Sequence, residues 1–245
     1  MRKVVYTVLS GGYDEIQPIN IKHDEIDFIV VSDEIITVPN GWKLIVIDND
    51  DEKGLLFNRK YKINPQILFS NYDASIYIDS NIEIVGSVSE LFESLVNEQY
   101  LMMAYDHPVR DKLYEEANEL KLQGFDSFIH INRQVSRYYS EGYVDDGFYE
   151  ANVLVRKHQG NLFQVMETWY NLFTEGVKRD QLSLTYSFWY HDTVIGSLGV
   201  HDARFINRIF KYHMHVKKNP TNRTLNKIVN LISIKLKIDK ELMYD

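Results

Sequence analysis

Short, densely apolar runs that stop at Gly, Asp or Asn set the rhythm of the first half of the chain. Lys3–Leu9 reads as a buried strand ending in the turn Ser10-Gly11-Gly12-Tyr13-Asp14. Ile26–Ser32 repeats the pattern and stops at Asp33-Glu34, and Trp42–Ile47 follows as a third strand. Ile76–Ile78 is a strand that runs straight into Asp79-Ser80-Asn81. Tyr100–Ala104 and Ala151–Val155 are further strands. Between them the period changes to that of a helix. Ser87–Glu98 places Val88, Leu91, Phe92 and Leu95 on one face behind a Ser cap. Leu113–Leu122 and Leu162–Thr174 are helices stopped near Gly124 and Gly176, and Gln181–Tyr190 is another. Arg59–Pro65 is a basic segment whose proline breaks any helix continuing through it. Asn222–Lys237 is an amphipathic helix. The alternation of strand and helix predicts an α/β sheet with ligand sites at the carboxyl ends of its strands.

Composition adds boundaries to this picture. With 245 residues, the chain can bury a sizeable core as one large domain or a domain with an appendage. The only plausible boundary, near Asn219-Pro220, gives a main domain at 1–218 and a basic helix at 219–245. There is no cysteine, so disulfides, thiolate zinc sites and a cysteine nucleophile are excluded, which fits a reducing, cytoplasmic setting. The N-terminus begins a strand, not a signal peptide, and no apolar run is long enough to span a membrane. Residues 204–245 hold ten Lys or Arg against three Asp or Glu, whereas the whole chain is at −8, so the preceding residues carry −15. So acidic a body argues against nucleic acid as a partner. The basic end, with Lys227, Lys235 and Lys237 beside Ile228, Leu231, Ile232 and Leu236, has the make-up of a helix resting on an anionic membrane face. Packing of the same stripe on the domain or on a second subunit is the equal alternative.

The richest chemistry lies at Asp79-Ser80-Asn81. Alternate residues of an extended segment share a face, so Asp79 and Asn81 can point at one ligand, and hard oxygen donors suit Mg²⁺ or Mn²⁺ carrying a diphosphate. The ordinary alternative is a turn in which both side chains bond their own backbone. Thr7, Ser10, Gly11 and Tyr13, at the end of the first strand, can hold a nucleobase and ribose, and Asp33 can bond a pyrimidine. Arg59 and Lys62 can neutralise a diphosphate, or belong to a solvated face. His107 and Arg110 follow a strand and can meet donor or acceptor. Asp180 is either a helix cap or an active-site carboxylate flanked by Arg179 and Gln181. His213 and His215, two residues apart, make no metal site alone, but one of them can complete a coordination begun by Asp79 and Asn81.

In order along the chain stand Tyr6–Asp14, Lys62-Ile63-Asn64-Pro65, Tyr77–Asn81, His107-Pro108-x-Arg110, Tyr149–Arg156 and Lys178–Ser183. This set resembles the glycosyltransferase-like domain family first catalogued as a domain of unknown function, found in bacterial surface-polysaccharide loci and in plant proteins linked to mucilage and cell-wall pectin. The resemblance covers roughly residues 3–215. It implies a GT-A-like, Rossmann-type mixed sheet flanked by helices, and a metal motif with Asn81 where a second Asp is common. A distant likeness to retaining family-8 glycosyltransferases implies that His213 or His215 joins the metal ligands. The resulting expectation is a metal-dependent glycosyltransferase. It would move a sugar from a nucleotide-diphosphate donor, UDP-linked, to a surface-polysaccharide or lipid-linked glycan acceptor such as a capsule or lipopolysaccharide precursor. Asp180 would face the sugar, Arg179 would flank it, and Glu150 and Arg156 would shape the pocket. The alternatives are a metal-assisted hydrolase on a lipid or nucleotide-linked substrate, which some plant members' description as ceramidases keeps open, and an inactive sugar-nucleotide binding module. The lack of Gly-x-Ser-x-Gly and His-Glu-x-x-His lowers the hydrolase reading.

Overall fold

A computed structural model describes residues 1–21, 25–48, 50–216 and 223–238. Seven strands form one sheet: β1 (Lys3–Leu9), β2 (Ile26–Ser32), β3 (Lys43–Val46), β4 (Ala74–Ile78), β6 (Met102–Asp106), β7 (Tyr149–Lys157) and β8 (Ile195–Ser197). Their order is β3–β2–β1–β4–β7–β6–β8. All neighbours are parallel except β7, which runs antiparallel to both β4 and β6. A separate ribbon pairs β5 (Ile82–Ile84) with β9 (Phe210–Tyr212). The helices are α1 (Gly54–Ile63), α2 (Gln66–Phe69), α3 (Ser89–Asn97), α4 (Leu113–Gln123), α5 (Phe128–Ser140), α6 (Leu162–Glu175), α7 (Gln181–Tyr190) and α8 (Thr224–Lys235). The expected mixed α/β sheet flanked by helices, with a C-terminal helix, is therefore the fold.

Both faces of the sheet are covered, which is why its strands are apolar without alternation. On β1, Val4, Tyr6 and Val8 pack into a cluster with Phe57 of α1 and Trp169 of α6, whereas Val5 joins Ile76 and Phe92 of α3 on the other face. A third cluster links α4, α5 and α7 through Leu113, Ile131, Tyr138 and Tyr186. From β1 the chain goes to β2 on one side and returns to β4 on the other. The crevice at the carboxyl ends of β1 and β4 is thus a topological switch point, where such sheets bind ligands.

Three helices depart from the sequence reading. The basic segment 59–65 is the end of α1, which the sequence left unassigned, and Asn64 closes it by donating Nδ2 to the Lys60 carbonyl at 3.1 Å. Pro65 then begins α2. α5 was also unassigned: its Ile, Phe and Tyr content is that of a strand, yet Ser127 caps it by accepting from His130 N–H at 3.2 Å. His213 and His215 lie just past β9. The proposed boundary at 218/219 lies outside the described residues.

Candidate active site

One cavity of about 600 Å³ opens at the switch point. Its walls come from the end of β1 (Val8 to Gly11, Tyr13, Asp14), from α1 (Asn58, Arg59, Lys62), from the turn after β4 (Asp79 to Ile82), from the start of β7 (Glu150 to Asn152) and from the entry to α7 (Arg179 to Gln181). Arg204, Tyr212 and His215 close it from the C-terminal side. Because β7 is antiparallel, its first residues meet the last residues of β4 at the same edge.

Asp180 and its two cations form the most buried part. Arg59 and Lys62 lie three apart on α1, hence on one face. Arg59 Nε and Lys62 Nζ each sit 3.0 Å from Asp180 Oδ2. The carboxylate makes no cap bond to α7. Its backbone carbonyl accepts from Trp169 Nε1 at 2.7 Å, so α6 fixes the residue and leaves the side chain to the cavity. Burial pushes the carboxyl up, but Arg59, Lys62 and Arg179 outweigh it and hold Asp180 well below the usual carboxylate range.

Asp79 shares Lys62, whose Nζ lies 3.3 Å from its Oδ1, and Tyr77 OH donates to the same oxygen at 2.8 Å. The turn is stapled to β7 by Asp79 N–H to the Asn152 carbonyl at 2.9 Å. Asn81 donates Nδ2 to the His213 carbonyl at 2.7 Å, tying the turn to the end of β9. The two histidines then part. His213 Nε2 lies 2.8 Å from Glu83 Oε2 and the residue does not line the cavity. His215 does line it, with Nδ1 3.0 Å from Asp14 Oδ1 and its ring 5.1 Å from that of Tyr13. Ser80 Oγ donates to Asp14 Oδ2 at 2.8 Å.

As a metal site these residues fit by donor type. Asp79, Asn81 and His215 all line the cavity, and their hydrogen bonds run through Asp79 Oδ1, Asn81 Nδ2 and His215 Nδ1. Among the described residues no three His, Cys, Asp or Glu are grouped to hold a metal, so the set depends on the Asn81 amide.

Glu150 has the opposite surroundings to Asp180. It contacts Arg204 Nη2 through Oε1 and accepts from Gln181 Nε2 through Oε2 at 3.3 Å. Burial pushes its carboxyl up against the pull of Arg204. Arg204 is itself held by Asp202, which accepts from Asn152 Nδ2 at 2.7 Å. Behind Glu150 stands His107, buried and outside the cavity wall. Its Nδ1 accepts from the Arg110 backbone N–H at 3.0 Å, and its Nε2 lies 3.0 Å from Arg110 Nη2 and 3.4 Å from Glu150 Oε1. Burial, with Arg110, Arg204 and Arg179 nearby, pushes His107 to about 4, so the ring is neutral. Arg110 and Arg179 both pair with the buried Glu116, at 2.7 and 2.9 Å.

Five residues expected to bind the donor or shape its pocket do not line the cavity. Thr7 is buried within β1. Asp33 accepts from Ser10 Oγ at 2.5 Å and Gly11 N–H at 3.2 Å, so it shapes the turn that does line the cavity. His107 and Arg110 support Glu150 and Arg179 from behind. Arg156 is corrected from a pocket residue to a scaffold residue. Fully buried, it donates Nη2 to the Lys62 carbonyl at 2.8 Å and Nη1 to Tyr6 OH at 3.2 Å. A cation there complements the negative end of α1 and so seats Lys62. The sequence reading missed Asp14 as a site residue, although it stands in the Gly-Gly-Tyr-Asp turn, and missed Arg204 and Asp202, which carry no local signal.

Fold and cavity together define an α/β domain with a charged site at the switch point of its sheet. The chain belongs to the TOD1/MUCI70 glycosyltransferase-like domain family, whose model matches residues 4–215. No curated protein is significantly similar in sequence. Among solved structures, the apo WbbM bifunctional glycosyltransferase is similar at a TM-score of 0.49 and 13% identity. The likeness covers 79% of this chain and 38% of that one, so the chain spans well under half of that protein's length.

Proposed function

We propose that this glycosyltransferase-like domain moves a sugar from a nucleotide-diphosphate donor, UDP-linked, to a glycan or lipid-linked acceptor of surface-polysaccharide assembly. The observation that carries this reading is the charge balance of the cavity. Arg59, Lys62, Arg179 and Arg204 face Asp14, Asp79, Glu150 and Asp180, four of each sign. A diphosphate adds about two negative charges, which a divalent cation would offset. Asp79, Asn81 and His215 would hold Mn²⁺ or Mg²⁺, which when bound supplies neutralisation of the departing nucleotide.

The other roles follow from the side chains. Gly11 offers close backbone approach at φ 62°, and Tyr13 offers a ring for a base. Arg59, Lys62 and Arg179 sit where the leaving diphosphate's charge develops. Asp180 is held ionised and is too weak a base to take a proton near neutral pH, so it serves to stabilise positive charge at the anomeric carbon. Glu150, whose carboxyl is pushed up, is the better group to orient the acceptor hydroxyl and accept its proton at Oε2.

Thermal unfolding with UDP, GDP and CMP, each with and without Mn²⁺, tests this. A ligand at about 100 times its Kd adds roughly 2.7 kcal/mol, or about 5–11 °C for a domain this size. A UDP shift that needs Mn²⁺ is the expected result. No shift with any nucleotide, the protein being folded, overturns it and leaves hydrolysis as the activity to test.

A further inference from the structure

Helix α8 is inverted relative to an ordinary amphipathic helix. The side it turns to the domain is polar. Asn230, fully buried, accepts from Phe128 N–H at 2.8 Å and donates to the carbonyls of Asp126 at 2.8 Å and Lys121 at 3.1 Å. Ser233, one turn on, is buried beside it. The side it turns outward is apolar: Leu225, Ile232 and Leu236 are 73%, 53% and 62% exposed, and Ile228, Val229 and Leu231 are exposed with them. Leu122 of α4 and Ile129 of α5, on the two helices that carry α8, are exposed as well. Packing of the stripe on the domain, one of the readings the sequence allowed, is therefore not what the fold does.

We infer that α8 is an interfacial anchor that docks the domain on an anionic phospholipid surface, independently of what the cavity binds. The argument for this occupant is charge. Lys227 and Lys235 are exposed beside the apolar residues of the stripe, and Lys237 follows the helix end. The segment 204–245 is at +7 on a body at −15, so the chain is polarised towards this end. Two copies meeting stripe to stripe would bring these lysines together, whereas an anionic bilayer takes the leucines and isoleucines into its headgroup boundary and pairs the lysines with phosphates. At 12 residues α8 is too short to cross a bilayer and suited to lie along one.

Flotation of the full chain with phosphatidylcholine vesicles, with and without phosphatidylglycerol, tests the proposal. Binding is expected only with phosphatidylglycerol and weakens with salt. Lys227→Gln/Lys235→Gln weakens it about thirtyfold, at roughly fivefold per basic residue, and Ile232→Glu/Leu236→Glu abolishes it. Both changes lie on the exposed side, and unchanged circular dichroism confirms folding. No flotation of the folded wild type, or binding indifferent to Ile232→Glu/Leu236→Glu, overturns the proposal. So does a dimer by light scattering that the same variant makes monomeric, without any vesicle binding.

Discussion

Lys62 Nζ lies 3.0 Å from Asp180 Oδ2, with the two side chains only 2% and 4% exposed. The same ammonium is 3.3 Å from Asp79 Oδ1, so one cation joins the two carboxylates that the sequence placed in separate motifs. Such a pair is costly to desolvate and costlier to break, because the partner left behind stays buried and charged.

Asp180→Ala should therefore destabilise the fold by about 3–5 kcal/mol, a drop in Tm of roughly 6–20 °C. Removing Lys62 in the same chain, as Lys62→Met/Asp180→Leu, should cost less than Asp180→Ala alone. Calorimetry of the two variants decides it. A double variant less stable than the single would show that the ion pair is not what holds α1 to the entry of α7.

The metal assignment separates the two histidines. His215→Ala and Asp79→Asn should abolish any Mn²⁺-dependent part of nucleotide binding, measured by titration calorimetry. His213→Ala should keep it, since that ring is engaged by Glu83 at 2.8 Å outside the cavity. Loss in His213→Ala with retention in His215→Ala would reverse the assignment.

Acid should weaken the protein through two buried histidines. His107 and His158 are both pushed to about 4, chiefly by burial, with Arg110 and Arg156 as the next cause respectively. An unfolded histidine titrates near 6.5. Between about pH 6.5 and 4 the unfolded chain binds protons that the fold refuses, so stability falls as pH falls through that window. Tm measured from pH 7.5 to 4 should drop there, and His107→Gln/His158→Gln should flatten the slope. An equal slope in that variant would place the effect elsewhere.

Gly124 ends α4 at φ 65° and touches α8, where an added Cβ would lie 2.5 Å from Lys227 N. Gly124→Ala should cost about 1–2 kcal/mol for the left-handed conformation alone. It should also loosen α8, raising amide exchange there by roughly tenfold or more while β1 and β4 stay protected. Unchanged exchange in α8 would mean that Asn230 is sufficient to hold the helix.

The sequence by itself determined the strands and most of the helices. Dense apolar runs such as Val4 to Leu9 and the spaced Val88, Leu91, Phe92 and Leu95 can bury their surface in only one way, and Gly124 stops α4 where a left-handed residue is needed. It also set out, in chain order, many of the residues that line the cavity, from Ser10 to His215, but not Asp14 or Arg204. Only the tertiary structure decided what each charged group does. Arg59 and Arg156 are both arginines in mixed surroundings, yet one pairs with a carboxylate on the cavity wall and the other binds carbonyls at the end of α1. His213 and His215 differ by two residues and face opposite partners. α8 carries an amphipathic pattern that predicts which side is apolar, but Asn230 turns that side away from the domain. The physical reason is range. Apolar burial follows local periodicity, whereas the role of a charge depends on partners that folding brings from distant parts of the chain.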